Sequence, residues 1–142
     1  MLRVDEVMSG DVEFIAGEAS VKEAAELMGE LEVGALPVGS ADALQGVVTD
    51  RDILYRLVAA GRDPGATLVR DIMSAPVVTC RPEDSVQAAM DLMAAHHARR
   101  LAVCDPSGKV TGWITLSDLS RRLLLDAEAL QASLRELTEA PA

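Results

Sequence analysis

Aromatic side chains are almost missing from this chain of 142 residues, which has one Phe, one Tyr and one Trp. A core must therefore be aliphatic, built from Val, Leu, Ile, Ala and Met. The aromatic platform on which single-stranded nucleic acid stacks is absent. Positive charge is also short. Thirteen Lys and Arg stand against 23 Asp and Glu, a formal net charge of -10. That balance argues against nucleic acid and against an anionic membrane as partner, since both require a basic surface. No apolar run approaches the ~20 residues that span a bilayer. The chain starts Met1-Leu2-Arg3-Val4-Asp5-Glu6, acidic at once and without a signal-type apolar region. A cytoplasmic location is the expectation.

Cysteine is scarce too. Cys80 and Cys104 fit a reduced interior better than a disulfide framework. With His96 and His97 they contain no Cys-x-x-Cys pair, so the spacing is not that of a zinc site, and no metal is expected. The only conceivable catalytic dyad would join one of these thiols to one of these imidazoles. No nucleophile–base motif or His-Glu motif accompanies it, so the chain reads as non-enzymatic.

What the chain does have is internal repetition. Val4-Asp5-Glu6-Val7-Met8-Ser9 returns as Val69-Arg70-Asp71-Ile72-Met73-Ser74, and Ser20-Val21-Lys22-Glu23-Ala24-Ala25-Glu26-Leu27-Met28 as Ser85-Val86-Gln87-Ala88-Ala89-Met90-Asp91-Leu92-Met93. Leu36-Pro37-Val38 becomes Leu101-Ala102-Val103. Gly46-Val47-Val48-Thr49-Asp50-Arg51-Asp52 becomes Gly112-Trp113-Ile114-Thr115-Leu116-Ser117-Asp118. A tandem duplication means two copies of one unit packed on each other. A unit of about 60 residues is marginal alone, so the two are expected to share a core.

Each copy predicts an amphipathic lead-in (Val4 to Met8; Val69 to Met73) and a short strand near Val12 to Ile15 or Val77 to Cys80. A helix follows from Ser20 or Ser85. Ser20 and Glu23 have the spacing of a capping box. Then come a strand (Ala35 to Val38; Leu101 to Val103), a turn and a second strand (Leu44 to Val48; Val110 to Ile114). A second helix starts after Thr49 or Thr115. Gly61 ends the first of these helices, and Arg62-Asp63-Pro64-Gly65 forms a linker. The predicted organisation is repeat one with its linker over 1–65, repeat two over 66–125, and a C-terminal amphipathic helix and tail over 126–142. The tail carries Ala127, Leu130, Leu134 and Leu137 at helical spacing. It reads equally as a strap over the protein's own core or as an oligomer contact.

With β-α-β-β-α order, paired copies, a Leu-Pro-Val strand and Gly-h-h-Thr-x-x-Asp (h apolar) in register twice, residues 1 to about 125 resemble a tandem pair of CBS domains. These modules are named after cystathionine β-synthase. The pairing of Val33-Gly34-Ala35-Leu36-Pro37-Val38 with His97-Ala98-Arg99-Arg100-Leu101-Ala102-Val103 is similar to the stand-alone bacterial hypoxic response protein type. The resemblance implies an α/β (α+β) fold, two β-α-β-β-α repeats packed with pseudo-two-fold symmetry, plus the C-terminal helix. It implies a regulatory sensor that needs no cofactor. Its ligand would contain adenosine (AMP, ADP, ATP or S-adenosylmethionine). It would form a homodimer and signal to an effector protein that the sequence does not identify. The alternative is a ligand-free structural or stress-associated interaction module.

The motif has its own physics. Thr49 and Thr115 sit where a strand enters a helix, and the free N–H groups there favour an anion. A hydroxyl at that point can donate to a phosphate. Asp52 and Asp118, one turn on, suit a ribose diol. The same pair also reads as a capping box that binds nothing. The candidate ligand residues are Thr49, Arg51 and Asp52 for one site and Thr115, Ser117 and Asp118 for the other. Val77 and Val78 are added as apolar clamp, and Arg100, with Arg99, as a phosphate or partner contact or a solvated rim. Trp113 reads first as a core or dimer-contact residue and second as a pocket border. Asp50 would repel phosphate at the first mouth, so the second is expected to bind more tightly. Ala102 in place of proline is expected to loosen the strand edge in copy two.

Overall fold

The computed structural model describes residues 1–139. The last three residues of the expected tail lie outside the described residues.

Ser20 and Ser85 start the first long helix of each repeat for the same reason. Their hydroxyls accept from the backbone N–H of Glu23 (3.1 Å) and Ala88 (3.0 Å), which would otherwise be orphaned donors. The helices are α1, Val21–Leu31, and α4, Val86–His96. Among the described hydrogen bonds the reciprocal half of the predicted box, Glu23 carboxylate to Ser20 N–H, is not formed. Two antiparallel hairpins follow. β1 (Ala35–Gly39) pairs with β2 (Leu44–Thr49), with Ala35 opposite Thr49. β4 (Arg100–Cys104) pairs with β5 (Val110–Thr115), with Arg100 opposite Thr115. After β2, α2 (Asp50–Asp52) runs on into π-helical turns over Ile53–Val58. After β5, α5 runs as one helix over Leu116–Glu139. Between the repeats lies the short helix α3, Val69–Ile72.

The first strand of each repeat comes out unequal. In copy two, β3 (Thr79–Cys80) pairs in parallel with β4 and completes a three-stranded sheet. In copy one the strand expected over Val12 to Ile15 is reduced to one bridge, Ile15 with Val38. The cause is one residue. Ala102 donates its N–H to Val78 O at 3.1 Å. Its counterpart Pro37 has no N–H to give to Glu13 O. Ala102 therefore tightens the edge in copy two, contrary to the expectation that it would loosen it.

The repeats are not packed as separate beads. Val4 of the first lead-in is fully buried in the second repeat's core with Val86, Ala89, Leu101, Val103 and Ile114. Val69 and Ile72 of the second lead-in are buried in the first repeat's core with Val21, Ala24, Leu36, Val38 and Val48. The expected division near residue 65 does not divide the cores, since each includes the lead-in of the other repeat. The exchange explains the motif glycines. A Cβ on Gly46 would stand 2.7 Å from Ser74 O, and one on Gly112 would meet Ser9 O at 3.0 Å and the Met8 side chain. Only glycine lets each lead-in pass over the other repeat's hairpin.

The tail does not strap the core, because every residue from Leu123 to Thr138 is exposed.

Candidate functional site

The Thr-x-x-Asp corner is built identically twice. Thr49 Oγ1 accepts from Asp52 N–H at 3.1 Å, and Asp52 Oδ2 accepts from Thr49 N–H at 3.0 Å. Thr115 and Asp118 repeat both bonds at 3.1 and 3.0 Å. Capping and ligand binding are therefore compatible. The cap uses the threonine oxygen as acceptor and leaves its O–H as donor. It uses one carboxylate oxygen and leaves the other.

The remaining carboxylate oxygen distinguishes the two corners. Asp52 Oδ1 accepts from Ser74 Oγ at 2.9 Å, and Arg56 Nε lies 3.8 Å away. Arg56 is held there by donating to the carbonyls of Ile72 and Met73 at 3.2 and 2.9 Å. The Asp52 side chain is only 9% exposed. Among the described residues Asp118 Oδ1 has only Arg121, at 3.9 Å, and its side chain is 28% exposed. Ser9, the counterpart of Ser74, makes no hydrogen bond to it among the described residues. The backbone repeats the contrast. Val78 O is taken by Ala102, whereas its repeat counterpart Glu13 O, in the cleft with the second corner, has no N–H at Pro37 to accept from.

A cleft of about 640 Å³ opens on the second corner. Thr115, Leu116, Ser117, Asp118 and Trp113 line it together with Val12, Glu13, Gly34 and Pro37 of copy one. Its charged rim holds Arg99, Arg100 and Arg121 against Asp11, Glu13 and Glu32. The Arg100 guanidinium and the Asp50 carboxylate both crowd Gly34, at 3.4 and 3.1 Å from where its Cβ would lie. A larger side chain there would displace them.

Of the expected ligand residues, the fold brings Thr115, Ser117, Asp118 and Arg100 into this one cleft, with Trp113 beside them. Neither Thr49 nor Asp52 lines it. Arg51 is on the outside, 5.8 Å over the Tyr55 ring. Its backbone N–H donates to Asp50 Oδ1 at 2.8 Å. Val78 packs on the second core, and Val77 lines a different cavity of about 660 Å³ with Thr79, Cys80, Cys104 and Asp105. Residue reasoning missed Val12, Glu13 and Arg121. The first two could have been found by shifting Val77 and Val78 back by one repeat.

Cys80 and Cys104 are buried in β3 and β4, while His96 and His97 are exposed at the end of α4. Burial first, then Asp84 and Cys104, pushes the Cys80 thiol from 9.0 up to about 11. Burial, with Asp105 adding, also raises Cys104. Neither is an activated nucleophile. Among the described residues no group of three or more His, Cys, Asp or Glu is placed to hold a metal ion. No helix among them is long and apolar enough to cross a membrane.

The family model described as CBS domain matches residues 4–59 and again 69–125. The CBS domain-containing protein YhcV of Bacillus subtilis is 40% identical over 120 residues, 84% of each chain. A crystal structure of Hypoxic Response Protein I with two coordinated zinc ions superposes with a TM-score of 0.74 at 29% identity. That match covers 84% of this chain and 97% of the other. A hexameric CBS-CP12 protein from bloom-forming cyanobacteria superposes with a TM-score of 0.75 at 35% identity, over 83% of this chain and 66% of the other.

Proposed function

The chain belongs to the CBS-domain family as a tandem pair, and from that premise we propose that it is a regulatory sensor without catalytic activity. It takes an adenosine-containing ligand in the Thr115–Asp118 cleft and passes occupancy to a partner protein. The observation that carries this reading is Asp118 Oδ1, a partly exposed acceptor that takes no hydrogen bond among the described residues, has Arg121 at 3.9 Å and stands beside a threonine O–H at a helix start. A ribose diol fits the carboxylate, and a phosphate fits Thr115, Ser117 and the arginines. The carbonyl of Glu13, which accepts no hydrogen bond among the described residues, suits an adenine amino group in the cleft. Its volume lies in the range of small-molecule sites.

The Thr49–Asp52 corner is, by contrast, a structural cap in this reading, because Ser74, Arg56 and Ala102 use the groups a nucleotide would need. Signalling requires only that the ligand prefer one packing of the exchanged lead-ins over another. Self-association is also part of the proposal. Leu54, Tyr55 and Val58, on the π-helical turns after α2, leave large apolar surface exposed.

The test is calorimetry with AMP, ADP, ATP and S-adenosylmethionine on wild type, Asp118→Ala and Asp52→Ala. At least tenfold weaker binding, about 1.4 kcal/mol, is expected for Asp118→Ala alone. Absence of heat with all four ligands at millimolar concentration would remove the sensor reading for this class.

A further inference from the structure

From Leu123 onward α5 leaves the body. Every residue to Thr138 is exposed, with Leu130 at 61% and Leu137 at 78%. An isolated helix of this length is marginal in water. Six leucines stand in the open, Leu123, Leu124, Leu125, Leu130, Leu134 and Leu137, and four of them form one unpartnered seam. The spacing says what kind of seam. Leu116, Leu123, Leu130 and Leu137 recur at every seventh residue, and Ser120, Ala127 and Leu134 fall between them at alternating steps of four and three. That is a heptad with leucine at each d position, sustained over the whole helix.

We propose that this seam pairs with the same helix of a second copy, antiparallel, as a two-stranded coiled coil. The choice of a second copy rests on what flanks the seam. Coiled coils that select a foreign partner carry charges at e and g. Here those positions in the projecting stretch are Leu124, Asp126, Gln131, Ser133 and Thr138. One charge in five positions neither encodes another partner nor repels an identical strand.

The orientation rests on side-chain size. Parallel pairing would stack Ser120 on Ser120 and Ala127 on Ala127, leaving thin layers. Antiparallel pairing sets each a position against a d position. Ser120 then meets Leu137 of the second copy, Leu123 meets Leu134, and Ala127 meets Leu130, so small residues face large ones throughout. Arg121, Arg122, Arg135 and Glu136 fall at b and c, on the outer face of the pair, and neither drive nor oppose it. The pairing is independent of whether the cleft binds a nucleotide.

The test uses the full chain. Amide hydrogen exchange over residues 123–137 and sedimentation velocity are measured across about a hundredfold dilution, for wild type and for Leu130→Glu with Leu134→Glu. Both positions are exposed, so the body is expected to fold. The expected result is protection that falls on dilution, and at least tenfold weaker self-association with faster tail exchange in the double variant. Tail exchange that is fast at every concentration, or that the double variant leaves unchanged, overturns the proposal and points to another occupant or to none. A spin label on Thr138→Cys reads orientation, since the buried native thiols react poorly. At 1.5 Å rise per residue the antiparallel register separates the labels by about 28 Å. A distance under about 15 Å would mean a parallel pair.

Discussion

Replacing Ser74 by alanine tests the claim that the first corner is locked. Asp52 Oδ1 has the Ser74 hydroxyl at 2.9 Å and the Arg56 guanidinium at 3.8 Å. Removing the hydroxyl leaves a nearly buried carboxylate oxygen with one distant ionic partner. A hydrogen bond to a charged group contributes about 1.5–3 kcal/mol. Arg56 can close part of its gap and recover some of that, so the net loss is set at about 1–2 kcal/mol. For a chain of this length the corresponding fall in Tm is about 3–10 °C. The repeat supplies an internal control. Ser9 occupies the same place in copy one but does not bond Asp118 among the described residues, so Ser9→Ala is expected to stay within about 0.5 kcal/mol. Urea unfolding followed by far-ultraviolet circular dichroism reads both, as a shift in midpoint at constant slope. Equal shifts for the two variants would show that the asymmetry between the corners does not exist in solution.

Gly46→Ala puts a methyl 2.7 Å from Ser74 O and 2.9 Å from Met73 Sδ. A loss of about 1–3 kcal/mol is expected by the same titration, and a neutral variant would mean the lead-in is not held against the hairpin. The raised Cys80 thiol favours the protonated form in the folded state. Its contribution is therefore complete below pH 9.0 and is lost as pH rises from 9.0 to about 11, by up to about 1.4 kcal/mol per pH unit. Urea midpoints between pH 8 and 11 should fall less steeply in Cys80→Ala than in wild type, and identical slopes would contradict the shift. The cleft sets three arginines against Asp11, Glu13, Glu32 and Asp118, so added phosphate charge gains nothing. AMP is expected to bind at least as tightly as ATP in calorimetry, and a tenfold preference for ATP would count against this charge argument.

The order of elements was legible because it depends on local chemistry. Ser20, Ser85, Thr49 and Thr115 each cap the helix that follows them. Gly46 and Gly112 mark the place where a backbone passes close by. The exchange of lead-ins was not legible. Val4 and Val69 have the same periodicity whether they pack on their own repeat or on the other. Pro37 and Ala102 were both visible, but their effect depends on whether a particular N–H has a carbonyl across from it. That requires knowing the parallel neighbour.

From the charge of Asp50 the sequence led to an expectation of tighter phosphate binding at the second mouth. What the fold adds is a different cause, a hydrogen bond from Ser74 to Asp52 across 22 positions of sequence that no local pattern encodes. The tail helix was legible from its leucines. That it stands away from the body was not, since an amphipathic stripe looks the same over a core or in the open.

Of the two Thr-x-x-Asp corners, the proposal puts the ligand at Thr115 and Asp118. Trp113 is the only tryptophan of the chain and borders that cleft, so its fluorescence reports on occupancy there. The measurement is a titration of AMP against wild type, Asp52→Ala and Asp118→Ala. A saturable change in Trp113 emission with similar midpoints in wild type and Asp52→Ala, and a midpoint at least tenfold higher in Asp118→Ala, is the predicted result. A binding curve that Asp118→Ala leaves untouched, or that Asp52→Ala weakens more, would contradict the account.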